Sequence, residues 1–147
     1  MNENLKLSGH INIKLFDESG RLKQEVDKAN VVVTVGKNYL AAWLAAASQA
    51  TPFMQYIALG TGVTAANSSD TTLDTELATR VAGTLSNSTN VWRNQATFGA
   101  GVNTGAITES GIFSDSSAGT MLARQVFPVV NKGAGDIIVF TWEITLS

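Results

Sequence analysis

The stretch Ile137 to Leu146 constrains this chain more than any other. Ile138, Phe140, Trp142, Ile144 and Leu146 alternate with Val139, Thr141, Glu143 and Thr145. A period of two places the large apolar set on one face of a strand and the mixed set on the other. A face carrying that much apolar surface has to be buried against a second layer, so the chain must build a packed sheet.

The rest of the sequence supplies the other strands. Ile11, Ile13 and Leu15 alternate with His10, Asn12 and Lys14, predicting a half-buried strand over 7–16. Asp17-Glu18-Ser19-Gly20 reads as a turn, and Arg21 to Val26 returns as the second arm of a hairpin. Val31, Val32, Val33 and Val35 form a β-branched run, read as a strand buried on both faces and broken by Gly36. Tyr56 to Leu59, Arg80 to Leu85, Val91 to Phe98, Ala106 to Phe113 and Met121 to Phe127 are further strands, with 86–90 as a hairpin loop.

One helix stands out, over about residues 37–49. Leu40, Trp43, Leu44 and Ala47 recur at helical spacing, alanines fill the positions between, and Pro52 follows. Residues 63–72 are small and polar, a loop, after which Asp70 or Thr71 is expected to cap a short helical turn through Leu77. The expected fold is mainly β: an antiparallel β-sandwich or jelly-roll-like domain with one main α-helix, spanning 1–147 as a single domain. Residues 1–4 are expected to form a flexible polar arm.

Composition narrows the functions. Only 15% of the 147 residues are charged, against about 25% in a typical soluble domain. The net charge of −2 gives no electrostatic case for nucleic acid, which calls for clustered Lys and Arg. The chain has no cysteine, which removes thiol nucleophiles, thiolate metal sites and disulfides. The longest apolar run, Leu40 to Ala47, is far short of the roughly 20 residues a membrane helix needs. The N-terminal sequence has no signal-peptide pattern, and a cytosol-like compartment is expected.

Catalytic signals are weak. The single histidine, His10, falls on the polar face of its strand. Ser110-Gly111 lacks the glycine two residues before the serine that a nucleophile elbow needs. Gly36-Lys37 lacks the earlier glycine of a phosphate loop, and Asn38 stands where a magnesium-binding hydroxyl would be. Asp70, Asp74 and Glu76 lack a calcium-loop spacing and read as helix-capping acids. Glu109 reads as a solvent-facing strand carboxylate, or as a partner for Arg124 or Arg80 across a sheet or a subunit interface. Trp43, Trp92 and Trp142 read as core anchors. No cofactor or metal is implied.

Four segments carry a family resemblance: NVVVTVGKNYLAAWL at 30–44, YIALGTGVTAANSSDTTLDTEL at 56–77 followed by Arg80, TFGAGVNTGAITESGIFSD at 97–115, and GTMLARQVFPVVNKGAGDIIVFTWEITLS at 119–147. In this order they resemble small structural proteins of tailed-bacteriophage virions, either head-decoration or tail-fibre-associated. The resemblance implies a non-enzymatic capsid decoration (cement) protein, made in the host bacterial cytoplasm and carried in the virion. Its implied partners are the major capsid protein and further copies of itself, as a homodimer or homotrimer. Tail or baseplate proteins are the alternative partners, and a carbohydrate-binding host-recognition module is the alternative of another class. Neither nucleic acid nor membrane is an expected partner. The expected contact residues are Met1, Asn2, Glu3, Asn4 and Leu5 in the arm, with Arg80, Glu109 and Arg124.

Overall fold

A computed structural model describes residues 4–45 and 53–147. The elements run β1 (Leu7–Phe16), β2 (Leu22–Val32), α1 (Thr34–Ala45), β3 (Tyr56–Gly60), β4 (Val81–Ala82), β5 (Thr84–Ser88), β6 (Val91–Phe98), β7 (Gly105–Phe113), β8 (Met121–Lys132) and β9 (Ile137–Leu146). The fold is mainly antiparallel β with one short helix, as the alternation predicts.

The nine strands form one nearly closed sheet in the order β4-β3-β7-β8-β2-β1-β9-β6-β5. β2 is the hinge of this sheet. Leu22 and Gln24 to Asn30 pair with β1, Lys23 being bulged out, while only Val31 and Val32 pair with Arg124 and Ala123 of β8. Beyond that corner the two strands part, and side chains bridge the seam. Gln24 donates to the Val129 carbonyl (3.1 Å), Lys28 to Val126 (2.8 Å), and Gln125 to Ala29 (2.6 Å). Backbone acceptors that no neighbouring strand reaches are thereby satisfied.

The inward faces fill one main core. Ile11, Ile13 and Leu15 of β1, Phe98 of β6, and Phe140 and Trp142 of β9 are fully or almost fully buried. Phe140 meets Phe98 edge-on, with centroids 5.8 Å apart, and Phe127 at 6.0 Å. A smaller cluster of Val33, Ala58, Leu73, Phe113 and Met121 packs separately, with Leu73 drawn from the long 61–80 connection.

Several expectations need correcting. The valine run is not a separate strand: Val31 and Val32 end β2, and Val35 lies in the helix. Val33 extends the sheet by one bond to the Leu122 carbonyl (3.0 Å), and its own carbonyl then accepts from Lys37 (3.1 Å), starting the helix early. Gly36 does not break the chain. It sits in the first turn because helix and β8 touch there: a Cβ would lie 2.6 Å from the Leu122 carbonyl oxygen. The end of the expected helix, 46–49, and Pro52 lie outside the described residues.

The helical turn expected over 70–77 does not form. That segment bends at Thr72, Asp74 and Thr75, and its end runs beside 59–61, with Glu76 bridging to Gly60. The strand expected over 80–85 divides at Gly83 into β4 and β5, where the Asn94 amide occupies the space a side chain would need. The loop after it is tighter than expected: β5 and β6 pair out to Ser88 and Val91, and Thr89 turns the chain with φ of 50°. β8 runs five residues past Phe127, because the β7–β8 register shifts between Ile107 and Glu109 and so accommodates Pro128 without demanding its missing N–H.

Candidate functional site

Glu109 is not a solvent-facing carboxylate. It is completely buried, and Arg124 beside it is 1% exposed. One Glu109 oxygen accepts from the backbone N–H of Gly62 (3.0 Å) and Thr75 (2.8 Å). The other accepts from Asp74 N–H (3.1 Å) and from Nε (3.1 Å) and Nη2 (2.9 Å) of Arg124. Arg124 continues to Asp70 (2.8 Å) and to the Thr64 carbonyl (3.0 Å). Burial alone would lower the guanidinium pKa, but its hydrogen bonds to Asp70 and Glu109 outweigh that and hold it above its ordinary value. Asp74 is held below the usual carboxylate range by the Thr64 hydroxyl and then by Arg124.

This network is an anchor for residues 61–77. Gly60 and Gly62 belong to it, since a Cβ at either would lie 2.5 Å from a Glu109 oxygen. Arg80 closes the far end. It pairs with Glu76, donates to the carbonyls of Asp115 and Ala118, and lies 3.7 Å over the Phe113 ring. Arg80, Glu109 and Arg124, expected at a subunit contact, therefore spend their charges within the chain. The acids read as helix caps instead serve these arginines. Among the described residues no group of His, Asp or Glu could hold a metal.

His10 faces outward and pairs with Asp27 on the neighbouring strand. The Ser110 hydroxyl is buried and donates to the Ala58 carbonyl (2.8 Å). Of the arm residues, Met1, Asn2 and Glu3 lie outside the described residues, whereas Asn4 and Leu5 are exposed.

The surface feature with functional reach is an apolar groove of about 920 Å³ where β1 begins and β9 ends. The strands contribute Leu7, Leu85, Trp92, Ile144 and Leu146, and the helix contributes Tyr39, Leu40, Trp43 and Leu44. Leu5, Phe53, Met54 and Leu122 complete the apolar lining. Leu5, Leu44 and Phe53 are 70%, 75% and 56% exposed, so the groove is open and not a cavity of the core. Among the described residues Lys6 and Lys37 are its charged side chains, and no Asp or Glu lines it. Trp142 is the core anchor expected of the tryptophans, Trp92 packs partly buried against the core while also lining the groove, and Trp43 lines the groove.

Sequence reasoning read Trp43 as a core anchor and missed the groove. The available signal was α1 itself. A helix this apolar over most of its surface is normally enclosed, yet Gly36 is its one fully buried residue among those described.

Compared with known proteins, the chain matches no family model, no curated protein and no solved structure. No helix among the described residues is long and apolar enough to cross a membrane.

Proposed function

We propose that this chain is a non-enzymatic structural subunit of a bacteriophage virion, a decoration protein that binds the major-capsid shell. The observation that carries the reading is the open apolar groove beside α1. Exposed apolar surface of this kind, set on a rigid sheet, suits association with another protein. The buried acids and arginines are occupied in anchoring the 61–77 segment, which suits a scaffold.

The four segments that resemble virion proteins support the reading by their positions. They cover the end of β2 with α1, β3 with the anchored 61–77 segment, β7 with the end of β6, and β8 with β9. These are the parts that build the anchor and much of the groove. A decoration subunit acts by linkage: binding the assembled shell and not its separate parts lowers the free energy of the shell. The partners on this reading are major-capsid subunits and further copies of the chain.

The test is copy number in virions of the phage that encodes the chain, by quantitative mass spectrometry, with electron microscopy of a tagged version. Hundreds of copies spread over the head support the proposal. A few copies at the neck or tail would replace it with attachment of a tail, baseplate or fibre component. Absence from virions would overturn the virion reading altogether.

A further inference from the structure

We propose that the groove beside α1 receives an extended segment of a different protein, one whose apolar side chains are flanked by carboxylates. The inference rests on reading the chain as an assembly subunit, and it names the chemistry of the partner.

Area favours a polypeptide over a small molecule. Leu5, Leu44, Phe53 and Leu146 are 70%, 75%, 56% and 39% exposed around the groove. At roughly 200 Å² for a large apolar side chain, these four leave on the order of 500 Å² open to solvent. A standard interface buries about 800 Å² per partner, roughly 60% of it apolar, which calls for about the same amount. A small ligand would leave most of these protruding side chains wet.

Charge favours a different protein over a second copy. Lys6 and Lys37 line the groove, no Asp or Glu side chain among the described residues lines it, and neither lysine is in any of the ion pairs among the described residues. The chain as a whole carries −2, so this apolar patch is locally positive on a mildly acidic protein. A symmetric dimer through the same patch would bring both lysines of one copy toward those of the other. Like charges brought together disfavour a pairing, and carboxylates on the partner favour it.

Backbone geometry favours an extended segment. Among the described residues β5 is the last strand of the sheet, paired with β6 on one side. Leu85, within β5, lines the groove. A strand added along β5 would gain main-chain hydrogen bonds, and every second side chain would point toward the groove face.

A displayed library of random twelve-residue peptides, selected on the immobilised full chain, tests this. Enriched sequences are expected to alternate apolar residues with Asp or Glu. Their binding should weaken as salt rises and fall at least tenfold on the Lys6→Glu/Lys37→Glu double variant and on Leu44→Asp. Both variants change exposed positions, and unaltered thermal unfolding will verify that they fold. No enrichment, enriched peptides without carboxylates, or equal binding to the variants would overturn the proposal. A concentration-dependent dimer in sedimentation, abolished by Leu44→Asp, would overturn it in favour of a second copy. Saturable oleate binding without peptide enrichment would overturn it in favour of a lipid chain. The virion experiment fails separately: acidic peptide binding by a chain absent from virions would uphold the groove and remove the virion reading.

Discussion

Glu109 and Arg124 meet on a diagonal across the β7–β8 pair. The register partner of Glu109 is Val126, and that of Arg124 is Gly111. Diagonal neighbours are too far apart for short side chains but within reach of long ones. Glu and Arg are long enough, and the pair closes with the Glu109 oxygen 2.9 Å from Nη2. The remaining donors around Glu109 are backbone N–H groups from residues 62, 74 and 75, so one carboxylate joins two strands to a distant segment.

Removing either partner should be costly, and not equally so. Breaking a buried ion pair costs about 3–5 kcal/mol. Glu109→Ala should lie at the upper end, because it strands three backbone donors and takes from Arg124 the one fully buried carboxylate it pairs with, leaving it Asp70, Asp74 and the Thr64 carbonyl. Arg124→Met should cost less, because Glu109 keeps those three donors. Urea unfolding will rank the two, and amide exchange should show lost protection at Gly62, Asp74 and Thr75 for Glu109→Ala. A loss below about 1 kcal/mol for Glu109→Ala would contradict the anchoring role.

Gly36→Ala should destabilise, against the usual trend. In an exposed helix the change gains about 1 kcal/mol. Here the added methyl would lie 2.6 Å from the Leu122 carbonyl oxygen and 2.7 Å from its Cα, both backbone atoms that cannot turn aside. Overpacking of this kind costs about 1–3 kcal/mol. A raised melting temperature in calorimetry would show that helix and β8 separate more easily than this contact allows.

Acid should weaken the fold through Asp136 and Asp74. Asp136 is held below the usual carboxylate range by Lys23, at 2.9 Å, and by the Gly133 N–H. A depressed carboxylate contributes stability that is fully present above its unfolded pKa, about 3.9, and is lost as pH falls through the lower folded value. Urea midpoints should therefore decline below about pH 4, and Asp136→Asn should flatten that decline. Lys132 acts with the opposite consequence at alkaline pH. Burial lowers its pKa, so the unfolded chain holds the proton more tightly, and stability should rise as pH climbs from the folded value toward 10.5. Lys132→Met should remove the alkaline rise.

The exposed apolar side chains at the groove, Leu44 and Phe53, should contribute little to folding. Leu44→Asp and Phe53→Asp should each change stability by no more than about 0.5 kcal/mol, the range for exposed positions. Both should reduce the fluorescence of a dye that binds apolar surface. Trp142→Ala, in the core of the same sheet, should cost about 3–5 kcal/mol. A large loss from Leu44→Asp would mean that the helix is held through this face.

Legibility from sequence followed the range of the forces involved. β1, β6 and β9 have the bounds expected or nearly so, because a period-two pattern is local and each strand has one strongly apolar face. The start of α1 was not legible: Val33 and Val35 favour strands, and their place is decided by the contact between Gly36 and Leu122, distant in sequence. Leu73 and Leu77 have the spacing of a helical turn, yet the backbone N–H groups of Asp74 and Thr75 turn to Glu109 and the chain bends there instead. The groove was legible in its residues and not in its openness, since the Leu40–Trp43–Leu44 stripe looks the same covered or bare.

The pairing of β1 with β9 sets an order of events during synthesis. Leu7 faces Leu146, and Phe16 faces Ile137, at opposite ends of the described sequence. β1 leaves the ribosome early and can form its hairpin with β2, but its other edge has no partner until β9 emerges. Contacts this distant in sequence make folding slow. Until β9 emerges that free edge, and the apolar face behind it, need shielding from neighbouring chains. The yield of native protein in a cell should accordingly depend on chaperone supply and growth temperature more than the stability of the finished fold would suggest.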